Sequence, residues 1–588
     1  MSGERPKALS VTTPRPAPAR PRHRVRTRLG LPVPMRDGVK LATDVYLPDA
    51  PGPFPVILIR TPYSTNVDYN VQDGVFFAQR GYAVVVQDVR GRFDSEGEWT
   101  PFVHEAEDGY DAQEWCGTQP WSTGKVGTSG GSYLALTQWL AAPCRNRHLA
   151  AMAPRVGFSN LYQNWVYTGG AFQLGFNLRW GAVQMHTRTN RLQHLWVPPE
   201  LQYSALFRHL PLITGDESAG RECGFYKDWI RHPDHGPYWE RLGNVERSYG
   251  EIDVPAYGFG GWYDVFLQGT LNNFVGVRAH GRSERARRGQ KVLIGPWIHD
   301  LGGRGTQTRT GEVDFGPEAL VDLRAEELRW FDQWLLGIDT GVLDEPPVRV
   351  FVMGQNRWRT ADAWPIPGTA YVEHYFHGEG KANSLFGDGR LDRRPPESEP
   401  PDRYVYDPAN PVPTLGGSTC CGEDITPIPM GPRDQQPAEW RPDVVVYTGA
   451  PLEADLEVTG PIKVVLWAAS SAPDTDFTAK LVDVHPSGFA VNVAQGIIRA
   501  RYRESFERPS LLEPGRVYRY EIDCWSSSNC FGVGHRIRVE ISSSNFPQFD
   551  RNPNTGHAFG MDADLEPATQ TVYHDARHPS HILLPVVA

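Results

Sequence analysis

Lys125-Val126-Gly127-Thr128-Ser129-Gly130-Gly131-Ser132-Tyr133-Leu134-Ala135-Leu136 is the stretch on which the reading of the fold turns. A short apolar run at 125–127 passes through glycines into 133–142, where Leu, Ala, Gln and Trp give helix composition. The order is strand, tight turn, helix. Such a turn exposes a serine hydroxyl and sets it beside the free N–H groups of a helix start, as a serine nucleophile and its oxyanion require. Two serines compete for the role. The G-x-S-x-G pattern falls on Gly127-Thr128-Ser129-Gly130-Gly131 and nominates Ser129. That choice opens the helix with two glycines, which cost helix stability, whereas Ser132 stands where the glycines end. Ser132 is the expected nucleophile. Glycine-serine turns are common, so the rest of the chain has to supply the chemistry.

Upstream, 38–48 shows a turn followed by strand-like alternation, which predicts a first hairpin. The apolar runs 54–59 and 82–86 are separated by enough chain for a crossover and predict parallel strands in a covered sheet. Downstream, from 158 to 251, strand signals fade and Tyr162, Trp165, Tyr167, Phe172, Phe176 and Trp180 crowd in. Phe172, Phe176 and Trp180 recur every fourth residue, so a helix there carries them along one side. The sheet pattern resumes at 254–259 and 291–295, making the middle stretch an insertion. A helix over 316–336 and a strand over 348–352 finish this unit. After Pro365, short alternating strands such as 462–466 and 536–541 predict an all-β sandwich. The expected class is α/β, an α/β-hydrolase core with a helical cap, followed by an all-β sandwich that resembles galactose-binding-like jelly rolls. The expected boundaries are 1–24 for a disordered tail, 25–157 and 253–365 for the two parts of the core, 158–252 for the cap and 366–588 for the jelly roll.

The 588 residues are 40% hydrophobic and 22% charged, with a net charge of −10 and no apolar run of membrane-spanning length. The body has no basic block to meet a polyphosphate, which argues against nucleic acid. The N-terminal tract Arg15-Pro16-Ala17-Pro18-Ala19-Arg20-Pro21-Arg22-His23 lacks the apolar core of a secretory signal, so the expected location is cytoplasmic. Seven cysteines, without C-x-x-C pairs, read as reduced, mostly buried thiols.

Gly130-Gly131-Ser132-Tyr133-Leu134-Ala135 resembles the G-x-S-Y-x-G elbow of the CocE/NonD hydrolases, the cocaine esterase family, related to X-prolyl dipeptidyl peptidases and α-amino acid ester hydrolases. Arg60-Thr61-Pro62-Tyr63, Gln87-Asp88-Val89-Arg90-Gly91-Arg92, Gly261-Trp262-Tyr263-Asp264 and Gly295-Pro296-Trp297-Ile298-His299 extend the likeness. Asp474-Thr475-Asp476-Phe477-Thr478-Ala479-Lys480-Leu481 and Ser543-Ser544-Asn545-Phe546-Pro547-Gln548-Phe549-Asp550-Arg551 carry it to the C-terminal region. The resemblance implies Ser132 as nucleophile, His299 as base, Asp264 as acid, and the Tyr63 hydroxyl with the Tyr133 N–H as oxyanion donors. Asp264 and His299 each follow a strand-like segment, where an α/β sheet presents catalytic groups. Ala135 stands where the family usually has glycine.

These readings together imply acyl transfer from a small-molecule ester or amide through an acyl-enzyme, with no metal and no organic cofactor. Phe266 resembles a pocket position in the family, and Trp165 and Phe172 of the insertion are further pocket candidates for an aromatic or apolar acyl group. Dipeptidyl peptidase or amino-acid ester hydrolase activity needs acidic groups for a substrate ammonium, for which Asp216 and Glu217 are the candidates. A reading from another class makes the sandwich a carbohydrate-binding module on an inactive core. Retention of all three triad candidates speaks against it. The sequence leaves open whether the chain forms a homo-oligomer.

Overall fold

In the computed structural model, residues 20–189, 199–220, 222–299, 307–421 and 427–587 are described; most of the tail expected at 1–24 lies outside them. The α/β unit is built on ten strands: β1 (Val25–Pro34), β2 (Lys40–Pro48), β3 (Phe54–Thr61), β4 (Ala83–Asp88), β5 (Ser122–Gly131), β6 (Leu149–Arg155), β7 (Ala256–Tyr263), β8 (Gln290–Ile298), β9 (Val348–Val352) and β10 (Arg357–Ala361). Their order in the sheet is β1-β2-β4-β3-β5-β6-β7-β8-β9-β10. From β4 to β9 the neighbours are parallel, and the pairs at both edges are antiparallel. Every residue of β3 and β4 is buried, as the Val- and Ile-rich runs of a strand covered on both faces demand.

The covering helices include α1 (Asp68–Ala78), α2 (Glu105–Thr118), α3 (Tyr133–Ala141), α4 (Leu267–His280) and α5 (Leu323–Phe331). The helix expected from 316 starts later, at Leu323. Pro317–Ala319 forms a separate short turn, and the Asp322 carboxylate accepts the Ala325 N–H, fixing the start of α5. Between β6 and β7 no strand joins the main sheet among the described residues. That stretch is short helical segments with two two-residue strands, Tyr167–Thr168 and Ala171–Phe172. The helix expected to carry Phe172, Phe176 and Trp180 is therefore broken. Phe172 ends a strand, Phe176 lies in Leu174–Asn177, and Trp180 lies in the π-helical turn Leu178–Met185.

Beyond Pro365 the unit is all-β around eleven strands, the longest being Leu456–Ser470 and Tyr518–Phe531. Alternating residues, including Val464, Leu466, Tyr520, Ile522, Val539 and Ile541, fill its core. Polar contacts tie this unit to the front one. Arg499 is buried between Asp476 and Asp550, and Asp550 Oδ1 accepts the Phe172 N–H at 2.8 Å. The Tyr263 hydroxyl donates to the Asn492 carbonyl at 2.9 Å.

Candidate active site

Three strand ends converge. Ser132 follows β5, Asp264 follows β7 and His299 follows β8, so three segments far apart in sequence meet at the carboxyl edge of one parallel sheet. Ser132 has φ 59° and ψ −127°, a strained conformation for a residue with a side chain, and heads α3. His299 Nε2 lies 3.0 Å from Ser132 Oγ, and His299 Nδ1 lies 2.8 Å from Asp264 Oδ2. With the carboxylate accepting from Nδ1–H, Nε2 is left as the acceptor for the serine proton. All three side chains are buried. Asp264 also accepts the Phe266 N–H through Oδ1 at 2.5 Å, so one carboxylate both shapes the turn before α4 and orients the imidazole. Ser129 sits inside β5 and donates to Glu327 at 2.9 Å; the serine facing His299 is Ser132.

Tyr63 and Tyr133 flank the serine. The Tyr63 hydroxyl interacts with Ser132 and accepts from Trp180 Nε1 at 3.1 Å, which leaves its proton to donate. Burial pushes this phenol above its ordinary value, against the opposing pull of Trp180 and Ser132, so it stays protonated at neutral pH. The preceding carbonyl, of Pro62, accepts from the buried Arg92 at 3.0 Å. Tyr133 contributes its N–H at the first turn of α3, and its ring is locked. Its hydroxyl donates to Glu105 at 2.7 Å and accepts from the Phe102 N–H at 3.1 Å and Trp99 Nε1 at 3.3 Å. Glu105 in turn pairs with Arg60, which reaches Gln87. Burial raises the Glu105 carboxyl, and Arg60 opposes that rise. Glu105 lies in no motif that marks it, whereas Arg92 belongs to the run Gln87–Arg92 and Trp180 to the aromatic series of the insertion.

One aromatic ring meets the imidazole, and others form a wall behind it. The Phe266 ring meets His299 edge-on at 5.1 Å, and Trp165 stacks on Phe266 at 4.8 Å. Phe176 and Trp180 pack on Trp165 at 4.9 Å each. Phe172 is not among them. It packs on Tyr167, Tyr226 and Phe559, inside the insertion and against the C-terminal unit, because the chain turns at Gln173 before the helical segment begins. The departure at Ala135 is accommodated by Gly157, where an added Cβ would stand 2.9 Å from the Ala135 methyl.

Asp216 is buried, accepts the Cys223 N–H at 2.7 Å and faces Lys227, while Glu217 pairs with the same lysine. Neither is a free acid for a substrate ammonium. The expectation of reduced thiols holds for Cys116, Cys144, Cys223, Cys524 and Cys530, of which Cys144 alone is exposed. It fails for Cys420 and Cys421, neighbours on one loop, which are paired as a disulfide. No helix among the described residues is long and apolar enough to cross a membrane.

Residues 37–300 match the X-Pro dipeptidyl-peptidase (S15 family) model, and residues 340–583 match the X-Pro dipeptidyl-peptidase C-terminal non-catalytic domain. The chain is 38% identical over 578 residues to cocaine esterase from Rhodococcus sp. (strain MB1 Bresler), covering 94% of this chain and 97% of that one. Among solved structures it is similar to an aminopeptidase from a marine sediment Thaumarchaeota archaeon, with TM-score 0.83 and 26% identity over 99% of this chain and 100% of that one. It is also similar to an α-amino acid ester hydrolase, with TM-score 0.84 and 25% identity over the same shares. On this ground the chain belongs to the CocE/NonD family of serine hydrolases, the family of cocaine esterase, and is a serine ester hydrolase.

Proposed function

We propose that Ser132, His299 and Asp264 are the catalytic triad of this esterase. His299 takes the proton of Ser132 as the serine oxygen attacks the ester carbonyl, while Asp264 holds the imidazole tautomer. The tetrahedral oxyanion accepts from the Tyr63 hydroxyl and the Tyr133 N–H. His299 then protonates the leaving alcohol, and water activated by the same imidazole releases the acid from the acyl-enzyme. The observation that carries this reading is the unbroken contact from Asp264 through both imidazole nitrogens to Ser132. An inactive core with a carbohydrate-binding sandwich finds no support beside it.

The substrate reading follows from the wall. Phe266, Trp165, Phe176 and Trp180 pack on one another beside His299 and give the site an apolar flank, which favours an ester with an aromatic or otherwise apolar acyl group. The paired state of Asp216 and Glu217 disfavours a required free amino group. In this reading 25–157 and 253–365 are the hydrolase core, 158–252 caps it, and 366–588 is a jelly roll that buttresses both.

Fluorophosphonate labelling with peptide mapping tests the triad. Label is expected on Ser132, to persist in Ser129→Ala and to vanish in Ser132→Ala; a label that survives Ser132→Ala overturns the assignment. A panel of aryl, alkyl and aminoacyl esters tests the pocket, with aryl acyl groups giving the highest kcat/KM.

A further inference from the structure

Cys420 and Cys421 sit on a loop of the C-terminal unit that reaches the catalytic side chains. The base of that loop is fixed. Gly417 and Gly431 exchange backbone hydrogen bonds of 2.7 and 3.0 Å, and Gln548 Nε2 donates to the Ser418 carbonyl at 2.9 Å. From there both sulfurs and one ring nitrogen of His299 fall within 4.8 Å of one another. Cys420 is buried in the core that also holds Phe266 and Trp165, and Cys421 packs against it. Acyl transfer makes no use of two sulfurs here.

The pair is a disulfide in this structure, and disulfide sulfur is a poor metal donor. An external dithiol changes that. It delivers two electrons and two protons, the Cys420–Cys421 bond breaks to two thiols, and the reductant leaves as its own disulfide. Two thiols beside an imidazole are a soft S₂N donor set, which suits a d10 cation and does not suit Mg²⁺ or Ca²⁺. In such sites metal–sulfur bonds are about 2.3 Å and metal–nitrogen bonds about 2.0 Å. Two thiolates on one tetrahedral ion stand about 3.8 Å apart, so the sulfurs separate on reduction, while the imidazole nitrogen, already within 4.8 Å, needs to close only modestly. His299 is also prepared as a ligand. Asp264 holds Nδ1, the arrangement by which a carboxylate orients a metal-binding histidine, and Nε2 remains for the ion.

We propose that reduced Cys420 and Cys421 form, with His299 Nε2, a binding site for a soft d10 cation such as Cd²⁺ or Zn²⁺, whose occupancy inhibits the esterase. Binding releases the two thiol protons to solvent and occupies the nitrogen that otherwise accepts the proton of Ser132. Oxidation back to the disulfide, by a peroxide that leaves as water or by a disulfide that leaves as two thiols, closes the site. The inhibitory consequence rests on the reading of His299 as the base; the binding itself does not.

The experiment uses the full chain, reduced and then freed of reductant, titrated with Cd²⁺. Cadmium–thiolate absorption in the ultraviolet and the hydrolysis rate are read together, each protein's rate being compared with its own metal-free rate. One equivalent is expected to bind with the absorption of two thiolates, the rate is expected to fall at least tenfold, and a chelator is expected to restore it. The oxidised protein and the Cys420→Ser/Cys421→Ser double variant are expected to keep their own metal-free rates. His299→Ala is expected to weaken binding about tenfold or more. Ser132→Ala, read by absorption alone, is expected to bind as the parent does, which separates failure of the site from failure of the triad. Equal inhibition of the double variant, or a reduced protein that keeps its full rate with the ion bound, overturns the proposal.

Discussion

Tyr63 offers one proton, and Trp180 donates into the same oxygen from 3.1 Å, so the phenol is aimed by what it accepts as well as by what it gives. Tyr63→Phe removes the proposed oxyanion donor and is expected to lower kcat about 10²- to 10³-fold with little change in KM. Trp180→Phe keeps the apolar wall but loses the donor to Tyr63, and is expected to lower kcat by about fivefold; steady-state kinetics on one aryl ester compares the two. Asp88, at the end of β4, is a second residue whose state matters. Burial, with Asp44 nearby, raises its carboxyl to about 8, and its Oδ1 has no hydrogen-bond partner among the described residues. In the unfolded chain the group titrates at about 4. Between roughly pH 4 and 8 the folded protein keeps a proton that the unfolded chain has released, so this contribution to stability falls as pH rises and levels off above that window. Asp88→Asn is therefore expected to raise Tm relative to the parent at about pH 9, with the gain shrinking toward about pH 5, as thermal melts across that range will read. Ser132, Asp264 and His299 were legible because each ends a strand inside a recognisable run. Glu105 and Trp180 were not, because each acts on an atom whose partner lies 28 or 117 residues away.

At the scale of elements, α3 can lie against the turn after β6 only because Gly157 has no side chain where the Ala135 methyl comes down. Gly157→Ala is expected to cost about 1–3 kcal/mol through overpacking. Ala135→Gly should return part of that loss in the double variant, giving a coupling energy in a denaturant-unfolding cycle. If the two effects simply add, the contact is not what limits the fit. β3 and β4 were readable from their Val- and Ile-rich runs, since burial on both faces leaves no polar alternation to confuse, whereas β6 has no such run and was not expected. The insertion was readable as an interruption but not in its parts. Its spacing of four at Phe172, Phe176 and Trp180 suits one helix, yet Phe172 is drawn off by the Asp550 carboxylate that accepts its N–H. The short hairpin Tyr167–Phe172, turning at Gly169 and Gly170, also keeps Phe172 out of the helix, so local glycines and a partner 378 residues away decide that element together.

Across the whole molecule the C-terminal unit grips the front one through backbone hydrogen bonds, aromatic packing and buried polar side chains. Arg499 pairs with both Asp476 and Asp550, and Asp550 holds the insertion. Arg499→Met leaves two buried carboxylates facing each other and is expected to cost about 3–5 kcal/mol. Because the same pair anchors the segment bearing the aromatic wall, esterase activity is expected to be lost at the urea concentration where tryptophan fluorescence reports unfolding. Two separated transitions would mean that the units unfold independently. The two-unit architecture was legible from the change of character after Pro365, but the docking was not, since its partners lie far apart along the chain, as Gly169 with Arg499, Gly175 with Pro547 and Met353 with Ser528.

The hydroxyl of Tyr263 reaches across to the Asn492 carbonyl, and the next residue along the chain is Asp264. The distant β-rich half thus has its hand on the backbone that aims the imidazole. Exchanging that half between relatives is accordingly a way to retune turnover, and a library of such chimeras should spread in rate even where every residue touching the ester is kept.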